Sequence, residues 1–96
     1  MHLNPKQRKH LKGLAHTLNP IVTVADKGLS PGVLDEVERG LLDHELIKVK
    51  FRVGDREARD ALIEELVSGS GATLVTRIGN IAVIYRPHPE QPKISP

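Results

Sequence analysis

Apolar residues recur at helical spacing early in the chain. Leu11, Leu14, Ala15 and Leu18 follow the i, i+3, i+4, i+7 rule and predict one buried stripe. Asn4-Pro5-Lys6-Gln7 marks the start of that helix as N-cap, first-turn proline and capping-box glutamine. Asn19-Pro20 stops it after about Thr17, because the residue before a proline is driven out of helical backbone. The β-branched run from Ile21 to about Ala25 predicts a strand. Ser30-Pro31 then restarts a helix over about Pro31–Asp43, with Val33, Val37 and Leu41 inward. Strict alternation over Ile47–Val53 predicts a half-buried strand with Ile47, Val49, Phe51 and Val53 on its core side. Asp55 is placed to cap a third helix over about Arg56–Val67, with Ala58, Leu62 and Leu66 in register. Ser68-Gly69-Ser70-Gly71 reads as a loop. Two further strands, about Thr73–Ile78 and Ile81–Arg86, flank Gly79-Asn80, a glycine-first hairpin turn.

The order αβαβαββ predicts a single α+β (α/β) domain around a four-stranded mixed sheet. Two strand–helix–strand crossovers favour parallel pairing, and the hairpin adds an antiparallel pair. Right-handed crossovers place the second and third helices on one face; the first helix is expected over that same face or at an edge, and periodicity does not decide between them. Residues 1–87 form the domain. Residues 87–96 hold four prolines in ten positions, so 88–96 is expected to be a disordered tail.

A chain of 96 residues can bury one core. Cysteine is absent, so thiolate sites and disulfides are excluded and a reducing cytoplasm is compatible. The polar N-terminal segment and the lack of a long apolar run predict a soluble domain without a membrane contact.

The net charge of +2 conceals a division along the chain. Residues 1–29 carry five basic side chains against one acidic, residues 30–70 six against ten, and residues 71–96 three against one. Lys6, Lys9 and Lys12 form an i, i+3, i+6 row opposite the apolar stripe, joined by His16, with Arg8 and His10 at the margins. No acid relieves their mutual repulsion, which points to an anionic partner. Lys48, Lys50 and Arg52 share the outer face of their strand as a secondary basic patch. At Ile21–Gly32 a strand passes through Lys27 and Gly28 into the Ser30-capped helix, an arrangement suited to a phosphate.

Phe51 and Tyr85 are the only aromatic residues, too few for a platform that stacks single-stranded bases, so backbone recognition of structured RNA fits better. His10 and His16 lie about 240° apart around a helix and cannot share a metal; no cofactor loop or catalytic set assembles.

Asn4-Pro5-Lys6-Gln7-Arg8-Lys9, Gly13-Leu14-Ala15-His16, the Ala25–Gly28 loop, Gly32-Val33-Leu34, His44 to Lys50, and Ile78-Gly79 through Tyr85-Arg86-Pro87 resemble the CRM domain, and more closely its stand-alone bacterial YhbY-like members. The resemblance covers about residues 3–87. It implies a fold similar to the C-terminal domain of translation initiation factor three. It also implies RNA binding, since bacterial members associate with precursors of the large ribosomal subunit and plant members act in organellar intron splicing. The family's Gly-x-x-Gly loop maps onto Ala25-Asp26-Lys27-Gly28, with alanine at the first glycine position and an acid beside Lys27.

The expected function is thus non-enzymatic binding, as a monomer, of structured large-subunit ribosomal RNA or a pre-ribosomal particle. The expected contacts are Lys6, Arg8, Lys9, Lys12 and His16 on the helix, and Ala25, Asp26, Lys27, Gly28 and Ser30 at the junction. The alternative is a protein-interaction module whose basic face docks an acidic protein.

Overall fold

A computed structural model describes residues Met1–Pro96. The elements are α1 (Pro5–Ala15), β1 (Pro20–Val24), α2 (Pro31–His44), β2 (Leu46–Phe51), α3 (Arg56–Ser70), β3 (Thr73–Ile78) and β4 (Ile81–Tyr85). All three helix starts are built as the sequence predicts. The Asn4 side chain accepts from Gln7 N while Gln7 Oε1 accepts from Asn4 N; Ser30 and Asp55 accept from Val33 N and Ala58 N. Gly79 opens the hairpin at φ 58°, in the left-handed region that a glycine-first turn requires.

The sheet is mixed, in the order β1-β2-β4-β3. β1 and β2 pair in parallel, but β3 does not pair with β2. β4 folds back between them and pairs antiparallel with both. The α3 crossover therefore leaves room for one strand, which the expectation of two parallel pairings omitted.

α2 and α3 lie on one face, where Val37, Leu41, Ile63 and Leu66 bury against Val22, Val24, Ile47, Val49, Phe51, Ala82 and Ile84. α1 covers the opposite face with a second cluster of Leu3, Leu11, Ala15, Leu46, Val75, Val83 and Tyr85. α1 thus lies neither on the α2–α3 face nor at an edge, the two places expected of it, because Leu11 and Ala15 pack on the side of the sheet that carries Lys48 and Lys50 and partly roof it.

Several boundaries and core positions differ from the sequence reading. α1 ends at Ala15, and its predicted stripe is only half used: Leu11 and Ala15 are buried, whereas Leu14 and Leu18 remain 42% and 37% exposed. Replacing Leu14 with alanine should therefore change stability by less than about 1 kcal/mol, because little apolar area returns to water. Urea unfolding reads this directly, and a loss above about 2 kcal/mol would place Leu14 in the core.

α3 continues through Ser68–Ser70, read as loop, and stops at Gly71, whose φ of 71° closes the helix. Leu66 is buried as expected, but Ile63 takes the position assigned to Ala58, which is exposed. Val53 is buried although β2 ends at Phe51.

Residues 87–96 form no helix or strand, yet they are held rather than free. Glu45, 2% exposed and at φ 64°, accepts from His88 N at 2.6 Å, Lys93 N at 2.8 Å and Ile94 N at 2.9 Å. Tyr85 Oη donates to Ile94 O at 3.3 Å, and Ile94 packs on the second cluster.

Candidate nucleic-acid interface

α1 presents the lysine row because its apolar side must face β3 and β4. Burying Leu11 and Ala15 turns Lys6, Lys9, Lys12 and His16 outward, and all four are exposed. None of the three lysines joins an ion pair; the two salt bridges in the fold are Arg77–Asp60 and Arg86–Glu38.

Arg8 behaves differently from its neighbours. It shares the helix face of Leu11 and Ala15, and its Nη1 donates to Leu74 O at 2.7 Å and to Val75 O. Those carbonyls sit where the β3 register shifts against β4. Arg8 therefore ties α1 to an irregular edge strand, a structural role that the sequence reading did not assign it. A cation on the apolar stripe was the signal available in the sequence.

Lys12 and His16 meet the sheet along a cleft of ≈ 160 Å³ that Lys48, Thr76, Ile78 and Val83 also line. Lys48 Nζ donates to Leu18 O at 2.8 Å, which anchors the turn after α1 and leaves two of its three donors unused. Lys50 is half-buried on the same side, and Arg52 is exposed just past the strand end. The helix row and the secondary patch, separate in sequence, thus become one basic surface.

The strand–loop–helix junction spends several of its amides on internal hydrogen bonds. Gly28 takes φ 79°, and its N–H donates to Ala25 O at 2.9 Å. Ser30 N donates to Gly28 O, Ser30 Oγ accepts from Val33 N, and Ser30 O accepts from Leu34 N. The amides of Gly28 and Ser30 thus close the loop on itself. Ala25 needs no left-handed backbone, so alanine is tolerated there; a side chain at Gly28 would be strained by its positive φ.

Asp26 and Lys27 remain exposed. Nor does the junction lie beside the lysine row. Pro20 pairs beside Lys48 and Val24 beside Phe51, so the loop is a strand length, roughly 13 Å, beyond the end of α1, next to Arg52.

Acidic side chains collect on the other side of the sheet. Asp35, Glu36, Glu38 and Asp43 ride on α2, and Glu57, Asp60, Glu64 and Glu65 on α3. Most of the acidic charge thus lies on the α2–α3 side of the sheet, among Arg39, Arg56, Arg59 and the paired Arg77 and Arg86. Glu38 is held below the usual carboxylate range by its bidentate hydrogen bonds from Arg86, against the opposing effect of burial. No three His, Asp or Glu side chains converge as a metal site would need. No helix is long and apolar enough to cross a membrane.

The chain matches the CRS1 / YhbY (CRM) domain over residues 3–86. It is 46% identical over 93 residues to a probable RNA-binding protein of Pseudomonas aeruginosa, covering 97% of this chain and 89% of that one. It is 49% identical over 88 residues to an RNA-binding protein of Haemophilus influenzae, covering 92% and 89%. Neither relative is named as an enzyme. The solution structure of a hypothetical protein from Staphylococcus aureus superposes with a TM-score of 0.81 at 31% identity, covering 98% of both chains.

Proposed function

Because the chain belongs to the CRS1 / YhbY (CRM) domain family, we propose that it is a non-enzymatic protein that binds structured RNA with the α1 side of its sheet. Its target would be large-subunit ribosomal RNA or a precursor particle, met in the cytoplasm by a monomer. The separation of charge across the sheet carries the reading. Unpaired Lys6, Lys9 and Lys12, with His16, Lys48, Lys50 and Arg52, face one way, and the acids of α2 and α3 face the other.

A polyanion meets stronger attraction on the α1 side than on the acid-rich α2–α3 side, which orients the encounter before any close approach. Lysine ammoniums neutralise phosphates and release condensed counterions, a contribution independent of base sequence. The lack of exposed aromatics supports recognition of shape and backbone, since Phe51 and Tyr85 are both buried.

A Lys6→Glu/Lys9→Glu/Lys12→Glu variant tests the assignment. Binding to transcribed large-subunit ribosomal RNA, measured over a salt series, should weaken strongly. The slope of log K against log salt should become shallower by roughly two to three units, about one for each phosphate that is no longer neutralised. A folded variant that binds like the parent would remove α1 from the interface. Co-sedimentation with pre-ribosomal particles that RNase abolishes supports the RNA reading; RNase-resistant capture of one acidic protein would replace it with a protein-docking function.

A further inference from the structure

Three arginines that play no part in the α1 surface meet at the other end of the sheet. Arg56 and Arg59, in the first two turns of α3, and Arg77, in β3, line a notch of ≈ 380 Å³ together with Gly79 of the hairpin. No acidic and no apolar side chain lines it. The acids of the neighbouring elements are partly engaged elsewhere: Asp60 holds Arg77 Nη2 at 2.6 Å from outside the notch, and Asp55 accepts from Ala58 N as the helix cap. Glu57, the remaining acid of the first turn, is exposed.

Two features are hard to explain by packing. Arg59 Nη1 donates to Val53 O at 3.3 Å, but its Nε is buried and has no acceptor. A buried unsatisfied donor costs about 1–3 kcal/mol, and more when the group is charged. Arg56 stands at the first position of α3, where the helix dipole disfavours a cation. An oxyanion in the notch offsets the unpaired charges of Arg56 and Arg59, adds to the pairing that Asp60 gives Arg77, and sits at the helix end that favours negative charge. Gly79 places no side chain over the opening, and a Cβ there would meet nothing within 4 Å.

We propose that Arg56, Arg59, Arg77 and Gly79 form a second seat for a phosphodiester group of the bound RNA, beyond the α1 surface. This rests on the RNA-binding reading above. The position favours a polynucleotide over a free ion. Phe51 N donates to Asn80 O, which puts the hairpin beside the end of β2, and Lys50 pairs with Ile81. Arg52 and the Lys27 loop lie at this same end. Lys48, Lys50 and Arg52 lead from α1 along β2 to this end of the sheet, and the notch lies round its edge on the α3 side, so an RNA that engages both seats is held at two points and its orientation is set.

An Arg56→Gln/Arg77→Gln variant of the full chain tests the seat, with circular dichroism and melting to show that it folds. Against the same ribosomal RNA, the salt slope should become shallower by roughly one to two units. In parallel, arginine Nε–Hε and backbone spectra of the parent protein are followed as inorganic phosphate is added, with chloride at equal ionic strength as control. Shifts of Arg59 Nε–H and Gly79 N–H with phosphate but not chloride, together with the reduced slope, support the proposal. Phosphate-specific shifts with an unchanged RNA slope would mean a free-ion site and overturn the RNA seat; no shift and no slope change would remove the site altogether. A lowered slope here, beside an unaffected Lys6/Lys9/Lys12 variant, would sink the α1 assignment and leave the notch standing. Failure of the parent to bind RNA at any salt would overturn the RNA seat with the function it rests on, and the phosphate titration would still show whether the notch takes an anion.

Discussion

Replacing Phe51 with alanine is expected to destabilise the domain by about 3–5 kcal/mol and to leave much of the chain unfolded at 37 °C. The ring is fully buried between the sheet and the α2–α3 layer. It stands on β2, which is bonded to β1 on one side and β4 on the other, with Val24 opposite it and its own N–H on Asn80 O at 2.7 Å. A strand held along both edges cannot move inward to fill the void, so the lost transfer free energy and the cavity add. Domains of this size hold only about 5–15 kcal/mol in total. Thermal melting should fall by at least about 12 °C, taking about 4 °C or more for each kcal/mol. A fall of only a few degrees would show that the two clusters do not unfold as one cooperative unit.

Replacing Glu45 with alanine is expected to cost about 2–3 kcal/mol and to release residues 88–96. The carboxylate accepts from three amides, and hydrogen bonds to an ionised acceptor are the stronger kind. The freed amides can turn to water as the segment swings out, which keeps the cost below three times the single-bond value. Amide exchange at His88, Lys93 and Ile94 should rise towards that of an unstructured chain, while the sheet stays protected. The backbone offers a control. Glu45 sits at φ 64°, so Glu45→Gly should be less damaging than Glu45→Ala by about 1 kcal/mol, as glycine relieves the strain that alanine retains. Equal losses in the two variants would mean that the left-handed backbone stores no strain.

The same residue sets part of the acid stability. Burial by itself would raise the carboxyl's pKa, but the amides of His88, Lys93 and Ile94 outweigh it and hold the group below the usual glutamate range. A carboxylate depressed in the folded state stabilises above its unfolded pKa and loses that contribution as pH falls through the folded value. Glu38, lowered chiefly by its hydrogen bonds from Arg86, acts in the same direction, but its exposure leaves it a small share. Stability should therefore decline below about pH 4.3, and Glu45→Gln should flatten that decline. An unaltered acid limb in the Gln variant would assign it to other carboxylates.

Local chemistry was legible in the sequence. Asn4 with Gln7, Ser30 with Pro31, and Asp55 mark helix starts through partners at most three residues away, and Gly79-Asn80 specifies a turn from two residues. The alternation at Ile47–Phe51 and the lysine row on α1 likewise need only the period of their own element. Element order, the mixed four-stranded sheet, the inward face of β2 and the outward face of α1 all follow from such near neighbours.

Tertiary structure decided whatever depends on partners distant in the chain. Arg8 turns inward because it meets carbonyls 66 and 67 residues away, on a strand edge whose irregularity no pattern at position 8 reports. Leu14 and Leu18 stay exposed because α1 docks along Leu11 and Ala15, a choice of face that periodicity leaves open. Glu45 holds a segment that composition alone marks as loose, through bonds spanning 43 to 49 residues. At the Ala25–Ser30 junction, the strand–loop–helix sequence specified the geometry of an anion seat. Only the folded loop showed that the amides of Gly28 and Ser30 bond within it, since the same donors serve a ligand or a turn and the three-dimensional path of the backbone selects between them.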